Sequence, residues 1–322
     1  GYVTNETVFA MPTLPRRLLV LGGGPIGLEL GQALARLGSQ VTVAEALPRL
    51  LPREDEDAAA LVRQALEAEG LAVHTGARVT GVQATAGGKR VLLERPGAPP
   101  LALEVDEILV ATGRQPNVEG LGLEQAGVAV HAGGVQVNDR MQTTAPSIYA
   151  CGDVAGPYLF THMANQQARV VIQNALLPVP ARINYRAVPW CTFTDPEVAR
   201  VGLNEQEAAQ RGIACRVLRV ELADIDRAVC DGVQRGFLKV LTPPRSDVIL
   251  GATLVGPHAG ELIHEIIVAM GAGWRLRDLA NTVHVYPTLA EVFRRAGDES
   301  RKAGFTPTLQ ALLRTYLRWR RG

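Results

Sequence analysis

Four consecutive apolar residues, Leu18-Leu19-Val20-Leu21, run directly into Gly22-Gly23-Gly24-Pro25-Ile26-Gly27. A short uninterrupted apolar run predicts a strand buried on both faces of a parallel sheet. Gly22, Gly24 and Gly27 fit G-x-G-x-x-G. In that pattern one glycine makes a tight turn, one lets backbone approach a pyrophosphate, and one lets a helix pack closely on the strand. The helix predicted next carries Ile26, Leu30, Leu34 and Leu37 on one face. A second apolar strand, Val41-Thr42-Val43-Ala44, ends at Glu45, close to the ~20-residue interval expected of a ribose-binding acid. A glycine turn without a ligand accounts for the loop alone but not for the strand, helix and acid around it. The expectation is a doubly wound α/β domain that binds a dinucleotide.

A chain of 322 residues has room for two or three domains with cores of their own. Its composition, 47% hydrophobic and 20% charged with a net charge of +1, is that of a globular protein and gives no electrostatic case for nucleic acid. No segment approaches the ~18 uninterrupted apolar residues of a membrane span, and no secretory leader is visible, so the expected location is the cytoplasm. Cys151, Cys191, Cys215 and Cys230 are scattered, without C-x-x-C or C-x-x-x-x-C spacing. They predict small buried hydrophobes rather than a metal site or a local disulfide. The chain opens on Gly1 rather than methionine, which predicts a fragment or processed piece.

Beyond Glu45, a helix is predicted over 55–69, and strands over 73–82 and 91–94 form an antiparallel flap turned at Gly87-Gly88-Lys89. Ile108-Leu109-Val110-Ala111 is a buried return strand ending in Thr112-Gly113-Arg114. Ser147-Ile148-Tyr149-Ala150 predicts a short strand before Cys151-Gly152-Asp153, and a helix follows over 161–176. From Tyr185 the pattern is α+β. Strands are predicted over 215–220, 237–241 and 248–255, and helices over 205–211, 261–270 and 289–295, with Asn204 and Glu207 as a capping box.

In chain order the motifs are Thr4-Asn5-Glu6-Thr7-Val8-Phe9, the Gly22 to Gly27 loop, Ala111-Thr112-Gly113-Arg114, Cys151-Gly152-Asp153-Val154, Phe193-Thr194-Asp195-Pro196-Glu197 and Tyr286-Pro287-Thr288-Leu289-Ala290-Glu291. The set resembles the flavin-dependent pyridine nucleotide-disulfide oxidoreductases, and within them the mercuric reductase-like and dihydrolipoamide dehydrogenase-like branch. The resemblance implies an NAD(P)-binding domain over 1–114, the C-terminal part of an FAD-binding domain over 115–184, and an α+β dimerisation domain over 185–322. It also implies FAD and NAD as cofactors, a homodimer and a small-molecule substrate in redox homeostasis. Family members open with an FAD-binding strand and glycine loop followed by a redox-active cysteine pair. This chain opens just before the NAD domain, so neither is expected in it.

Glu45 can accept hydrogen bonds from ribose hydroxyls, whereas a 2′-phosphate would meet like charge, so NADH is favoured over NADPH. Arg49 in the next loop reads either as a 2′-phosphate partner or as a solvated charge. The resemblance implies that Glu29 sits near the nicotinamide, that Gly113 lies beside the nicotinamide ribose, and that Val79 borders the adenine. For FAD it implies a ribityl contact from Asp153, and His162 and Met163 at a helix start near the flavin pyrimidine. The competing readings are an exposed helix charge for Glu29, a cap for Asp153 and a structural histidine at 162.

In disulfide-reducing relatives a histidine precedes the Pro-Thr, oriented by a glutamate, and serves as acid–base for thiols. Here that position is Tyr286, with Glu291 retained. A phenol with a pKa near ~10 is a poor proton shuttle at neutral pH, but it can donate a hydrogen bond or ligate a soft metal–thiolate. Mercuric reductases resemble this chain in having tyrosine there, although the vicinal cysteine pair with which they end is missing here. His284, two residues earlier on a strand-like segment, would share a face with Tyr286 and could stand in as base. The competing reading is a loop that only packs an interface.

Near the end of the chain, Leu309, Leu312, Leu313 and Tyr316 share one helical face among Arg314, Arg318, Arg320 and Arg321. The expectation is a helix docked on the dimerisation domain, and the alternative is one lying on a membrane surface. The function expected is transfer of electrons from NADH through FAD to a disulfide or soft-metal/thiol substrate. The alternatives are a catalytically incomplete nucleotide-binding and dimerising module, and a disulfide-independent NADH:quinone or diaphorase-type flavin reductase.

Overall fold

The computed structural model describes residues 1–305 and 307–321. They form two compact units, Gly1–Thr112 with Cys191–Gly322, and Gly113–Trp190. The first unit begins with β1 (Arg17–Leu21), α1 (Pro25–Arg36), β2 (Gln40–Glu45), α2 (Glu56–Ala68) and β3 (Ala72–Thr75). An antiparallel ribbon, β4 (Arg78–Thr85), β5 (Gly88–Arg95) and β6 (Ala98–Val105), leads to β7 (Glu107–Val110). The parallel sheet has the order β3-β2-β1-β7, so successive crossovers leave β1 to one side and β7 returns on the other. The loop after β1 therefore lies at the switch point where open α/β sheets bind ligands. Leu18, Leu19 and Val20 are at most 1% exposed, as an uninterrupted apolar strand requires.

Two sequence expectations need correction here. The strand predicted over 73–82 divides at Gly76-Ala77, because Val73 belongs to the parallel sheet while Arg78 starts the ribbon. The ribbon also has a third strand, β6, that Pro99 and Pro100 conceal. Proline is tolerated there because β6 is an edge strand.

The second unit holds β8 (Val130–His131), β9 (Gly134–Val135) and α3 (Thr161–Leu176), packed around Met141, Met163, Val170 and Ile183. The strand predicted over 147–150 is reduced to an isolated bridge between Gln142 and Tyr149.

The chain re-enters the first unit through β10 (Pro189–Thr192). It continues as β11 (Glu197–Gly202), α4 (Glu205–Gln210), β12 (Arg216–Glu221), α5 (Asp226–Cys230), β13 (Phe237–Thr242) and β14 (Gly251–Gly256). These strands form a sheet of order β10-β11-β14-β13-β12, antiparallel from β11 onward. Asn204 Oδ1 accepts the Glu207 amide at 2.8 Å and caps α4. Then come α6 (Ala259–Leu262), α7 (His264–Ala272), α8 (Leu276–Asn281), α9 (Glu291–Ala303) and α10 (Pro307–Arg320). The expected helix over 289–295 extends to Ala303, because α9 buries Val292, Phe293 and Ala296 along one stripe and Arg294 bridges Glu291 and Asp298 on the other.

The sheet is joined to the nucleotide-binding half of its unit by buried charge. Lys239 Nζ, on β13, lies 3.2 Å from Asp55 and 2.7 Å from Asp57 at the start of α2, and 2.6 Å from Glu205 on α4. Arg200, fully buried on β11, donates to the Arg53 carbonyl at 2.5 Å and pairs with Glu207. The expected docking of the last helix does not occur among the described residues, where every side chain of α10 from Gln310 onward is exposed. Leu309 lies outside the residues whose side chains are described.

Candidate functional site

The glycine loop is shaped by contacts that leave no room for side chains. Gly22 has φ +108°, and a Cβ there would lie 2.4 Å from the Ala111 carbonyl oxygen on the neighbouring strand end. A Cβ on Gly27 would lie 2.2 Å from the Gly22 carbonyl oxygen, so α1 packs against the turn itself. Gly24 differs: no atom lies within 4 Å of its Cβ position. It is the N-cap of α1, Pro25 follows at the first helical position, and no side chain caps the helix. An uncapped helix start beside open space, at a sheet switch point, is a ready site for a pyrophosphate.

Glu45, at the end of β2, is only 8% exposed. Its Oε2 accepts the Gly23 amide at 2.6 Å and its Oε1 the Leu47 amide at 2.7 Å. The carboxylate thus ties the glycine loop to the next loop, and each oxygen keeps a second lone pair for a ribose hydroxyl. Arg49 is held by the Pro52 carbonyl at 2.8 Å and by Gln206, rather than standing as a solvated charge. Val79 lies at a bulge in β4, half-buried against the ribbon core. Glu29, half-buried on α1, accepts the Phe193 amide at 2.9 Å, and burial raises its pKa above the usual carboxylate range despite that bond. An exposed helix charge does not describe it.

In the second unit, Gly113 has φ +132° and an open face. Asp153 accepts a hydrogen bond from Arg114 at 3.0 Å, with both side chains half-exposed. The Cys151-Gly152-Asp153 turn is anchored by Gln167, fully buried, whose Oε1 accepts the Gly152 amide at 2.7 Å. Nothing in its local sequence marks this glutamine. His162 bonds the Pro189 carbonyl at 2.8 Å and stacks on Phe160, and Met163 is a core residue. No side chain caps the start of α3.

The Tyr286 segment departs most from expectation. The Tyr286 hydroxyl donates to Asp226 Oδ2 at 2.9 Å, across from α5, and that bond raises the phenol pKa. Glu291 is buried and bonded to Arg294 at 3.0 Å. His284 is hydrogen-bonded at both ring nitrogens. Its Nε2 contacts Glu265 at 2.8 Å and its Nδ1 the Thr282 carbonyl at 2.9 Å, with the side chain 5% exposed. The alternation that would align His284 with Tyr286 fails because the segment is a loop rather than a strand. Asp226 was not legible beforehand, since 60 residues separate it from Tyr286. Replacing Asp226 with Asn should lower the pH at which Tyr286 ionises. Ultraviolet difference titration of each protein against its Tyr286→Phe counterpart reads this, and an unchanged titration would remove the role given to Asp226.

Among the described residues no group of His, Cys, Asp and Glu is arranged to hold a metal. The cysteines are all free. Cys191 is half-buried, and burial and the nearby Glu197 push its thiol far above the ordinary range, which makes it a poor nucleophile.

The family described as pyridine nucleotide-disulphide oxidoreductase matches residues 2–168, and the dimerisation domain of that family matches residues 188–297. The chain belongs to this family. The dihydrolipoyl dehydrogenase of Thermus scotoductus is 45% identical over 291 residues, which cover 90% of this chain and 63% of that protein. The mitochondrial dihydrolipoyl dehydrogenase of Dictyostelium discoideum is 38% identical over 91% of this chain and 61% of its own length. The chain therefore spans about three fifths of these curated relatives. Among solved structures, LpdA of Mycobacterium tuberculosis superposes with a TM-score of 0.84 at 30% identity, over 92% of this chain and 64% of that one. The HOCl-induced flavoprotein disulfide reductase RclA of Escherichia coli, solved as a Cu(II) complex, gives 0.83 at 32% identity, over 92% and 67%. The α/β architecture with parallel and antiparallel sheets is that of the oxidoreductase family.

Proposed function

We propose that the whole protein is a homodimeric, flavin-dependent oxidoreductase that draws electrons from NADH and delivers them to a disulfide or a soft metal–thiolate. In this reading residues 1–114 bind the nicotinamide nucleotide, 115–184 complete a flavin domain and 185–322 hold the dimerisation domain. The observation that carries it is the uncapped start of α1 beside Gly24, closed from behind by Gly22 and Gly27 and flanked by Glu45.

The backbone of that loop would hold the pyrophosphate, and the free lone pairs of Glu45 the adenosine ribose. Glu29, held by the Phe193 amide at 2.9 Å on the helix that the glycine loop opens, would lie near the nicotinamide. FAD, when bound, supplies the redox centre that accepts a hydride; in this chain Gly113, Asp153 and the amides opening α3 are the groups suited to hold it. The Tyr286 hydroxyl, steadied by Asp226, would present a polar handle to the acceptor without itself ionising at neutral pH. Val283 and Val285, on the same loop, are 95% and 76% exposed, which favours a partner subunit covering them.

Isothermal titration with NADH and NADPH tests the reading. NADH should bind at least about 10-fold more tightly, because a 2′-phosphate beside the Glu45 carboxylate costs more than about 1.4 kcal/mol at effective interior dielectrics. Equal or tighter NADPH binding would remove the role of Glu45, and binding of neither would overturn the nucleotide site.

A further inference from the structure

Two features meet where α9 gives way to α10. A cleft of about 360 Å³ is ringed by Arg216, Arg245, Arg275, Arg277 and Arg301, with Asp247 the one acid among its lining residues. Arg277 and Arg275 lie 2.9 and 3.7 Å from Asp247, so a single carboxylate faces five guanidiniums. The cleft runs to Ala303 and Gly304. Beyond it, Lys302 and Phe305 share a second hollow with Leu313, Arg314 and Leu317 of α10, and Gln310 Nε2 donates to the Phe305 carbonyl at 3.0 Å.

The helix that continues from this cleft is amphipathic and uncovered. Leu312, Leu313, Tyr316, Leu317 and Trp319 fall on one side by the 100° helical step, with Arg320 among them, and Arg314, Arg318 and Arg321 fall on the other. Leu312 is 63% and Trp319 78% exposed. The segment from Gly304 to Gly322 contains four arginines and neither Asp nor Glu.

We propose that α10 and the adjoining arginine cleft form a docking surface for an anionic lipid bilayer, on which the protein lies without spanning it. A small soluble phosphate would satisfy the cleft but leaves the apolar face of α10 unused. Packing against a second copy would cover the apolar face but leave the arginine cleft without a counter-charge. A negatively charged bilayer matches both halves. Leu312, Leu317 and Tyr316 enter the acyl boundary, Trp319 sits at the headgroup level, and the arginines and the cleft meet the phosphates. No helix among the described residues is long and apolar enough to cross the membrane, which fits a surface-bound mode. The proposal is independent of the redox reading above.

Flotation of the purified chain with vesicles tests it. Binding is expected to phosphatidylcholine mixed with phosphatidylglycerol, not to phosphatidylcholine alone, and should be lost in molar salt. Bound protein should show a blue-shifted tryptophan emission that Trp319→Phe abolishes. Arg314→Gln with Arg318→Gln, and separately Leu312→Ser with Leu317→Ser, should each weaken binding by about 10-fold or more while thermal unfolding stays unchanged. Failure to bind mixed vesicles, or equal binding to neutral ones, would overturn the proposal. So would complete displacement by millimolar inorganic phosphate, which marks a small-anion site. Self-association that Leu312→Ser with Leu317→Ser abolishes, in the absence of vesicle binding, would mark a protein interface instead.

Discussion

Gly24→Ala should cost most of the NADH affinity of this chain while leaving its thermal unfolding almost untouched, and Gly27→Ala should damage both. A methyl group on Gly24 meets no protein atom within 4 Å and sits on a backbone with φ −82°, open to any residue. Its only victim is the close approach of a pyrophosphate to the helix start. On Gly27 the same methyl would lie 2.2 Å from the Gly22 carbonyl oxygen and 3.1 Å from Val20 Cγ1. Either α1 or the turn must move. Overpacking of this kind costs about 1–3 kcal/mol, and if the loop shifts to relieve it, NADH binding falls by roughly 10- to 100-fold. Calorimetric titration beside thermal melts separates the two variants. A Gly24→Ala protein that binds NADH normally would show that the nucleotide does not lie on this loop.

Lys239→Met should lower the folding stability by about 3–5 kcal/mol, the cost of leaving a buried carboxylate without its partner. The ammonium is 3% exposed and faces Asp55, itself 4% exposed, as well as Asp57 and Glu205. Burial alone would lower its pKa, but the hydrogen bonds it donates to Asp57 and Glu205 hold it above the ordinary lysine value. The sign follows from that direction. The raised folded pKa means the contribution is complete below the unfolded lysine value, near ~10.4, and is lost as pH rises through the folded one. Melts from neutral to strongly alkaline pH should therefore show wild type losing stability in the alkaline range and Lys239→Met starting low. Adding Asp55→Asn should restore part of the loss, because it removes the unpaired charge. Wild-type stability in Lys239→Met would show that the network holds nothing together.

How far the sequence can be read depended on the range of the interaction. The β1 strand, the glycine loop, α1 and the acid ending β2 were all legible, because each rests on local periodicity, on the backbone freedom of glycine or on a fixed interval along one β-α-β unit. Asn204 capping α4 was legible for the same reason. Prolines hid β6, whose edge position cannot be seen from within the segment. The contacts of Tyr286, His284 and Glu291 were not legible, because two of the three partners lie far away in sequence. Tyr286 reaches Asp226, His284 reaches Glu265, and Glu291 turns to Arg294.

The sequence by itself determined the β-α-β unit around the glycine loop, because strand, turn and helix are specified within some thirty residues, while the motifs spread from Thr4 to Glu291 carried the family. Tertiary structure alone decided which carboxylates meet which cations: Lys239 with Asp55, Arg200 with Glu207, and five arginines around one aspartate. Ion pairs and hydrogen bonds form between whatever side chains the packed backbone brings within about 3–4 Å. No local pattern records such meetings, which exist only once sheet, helices and loops are assembled.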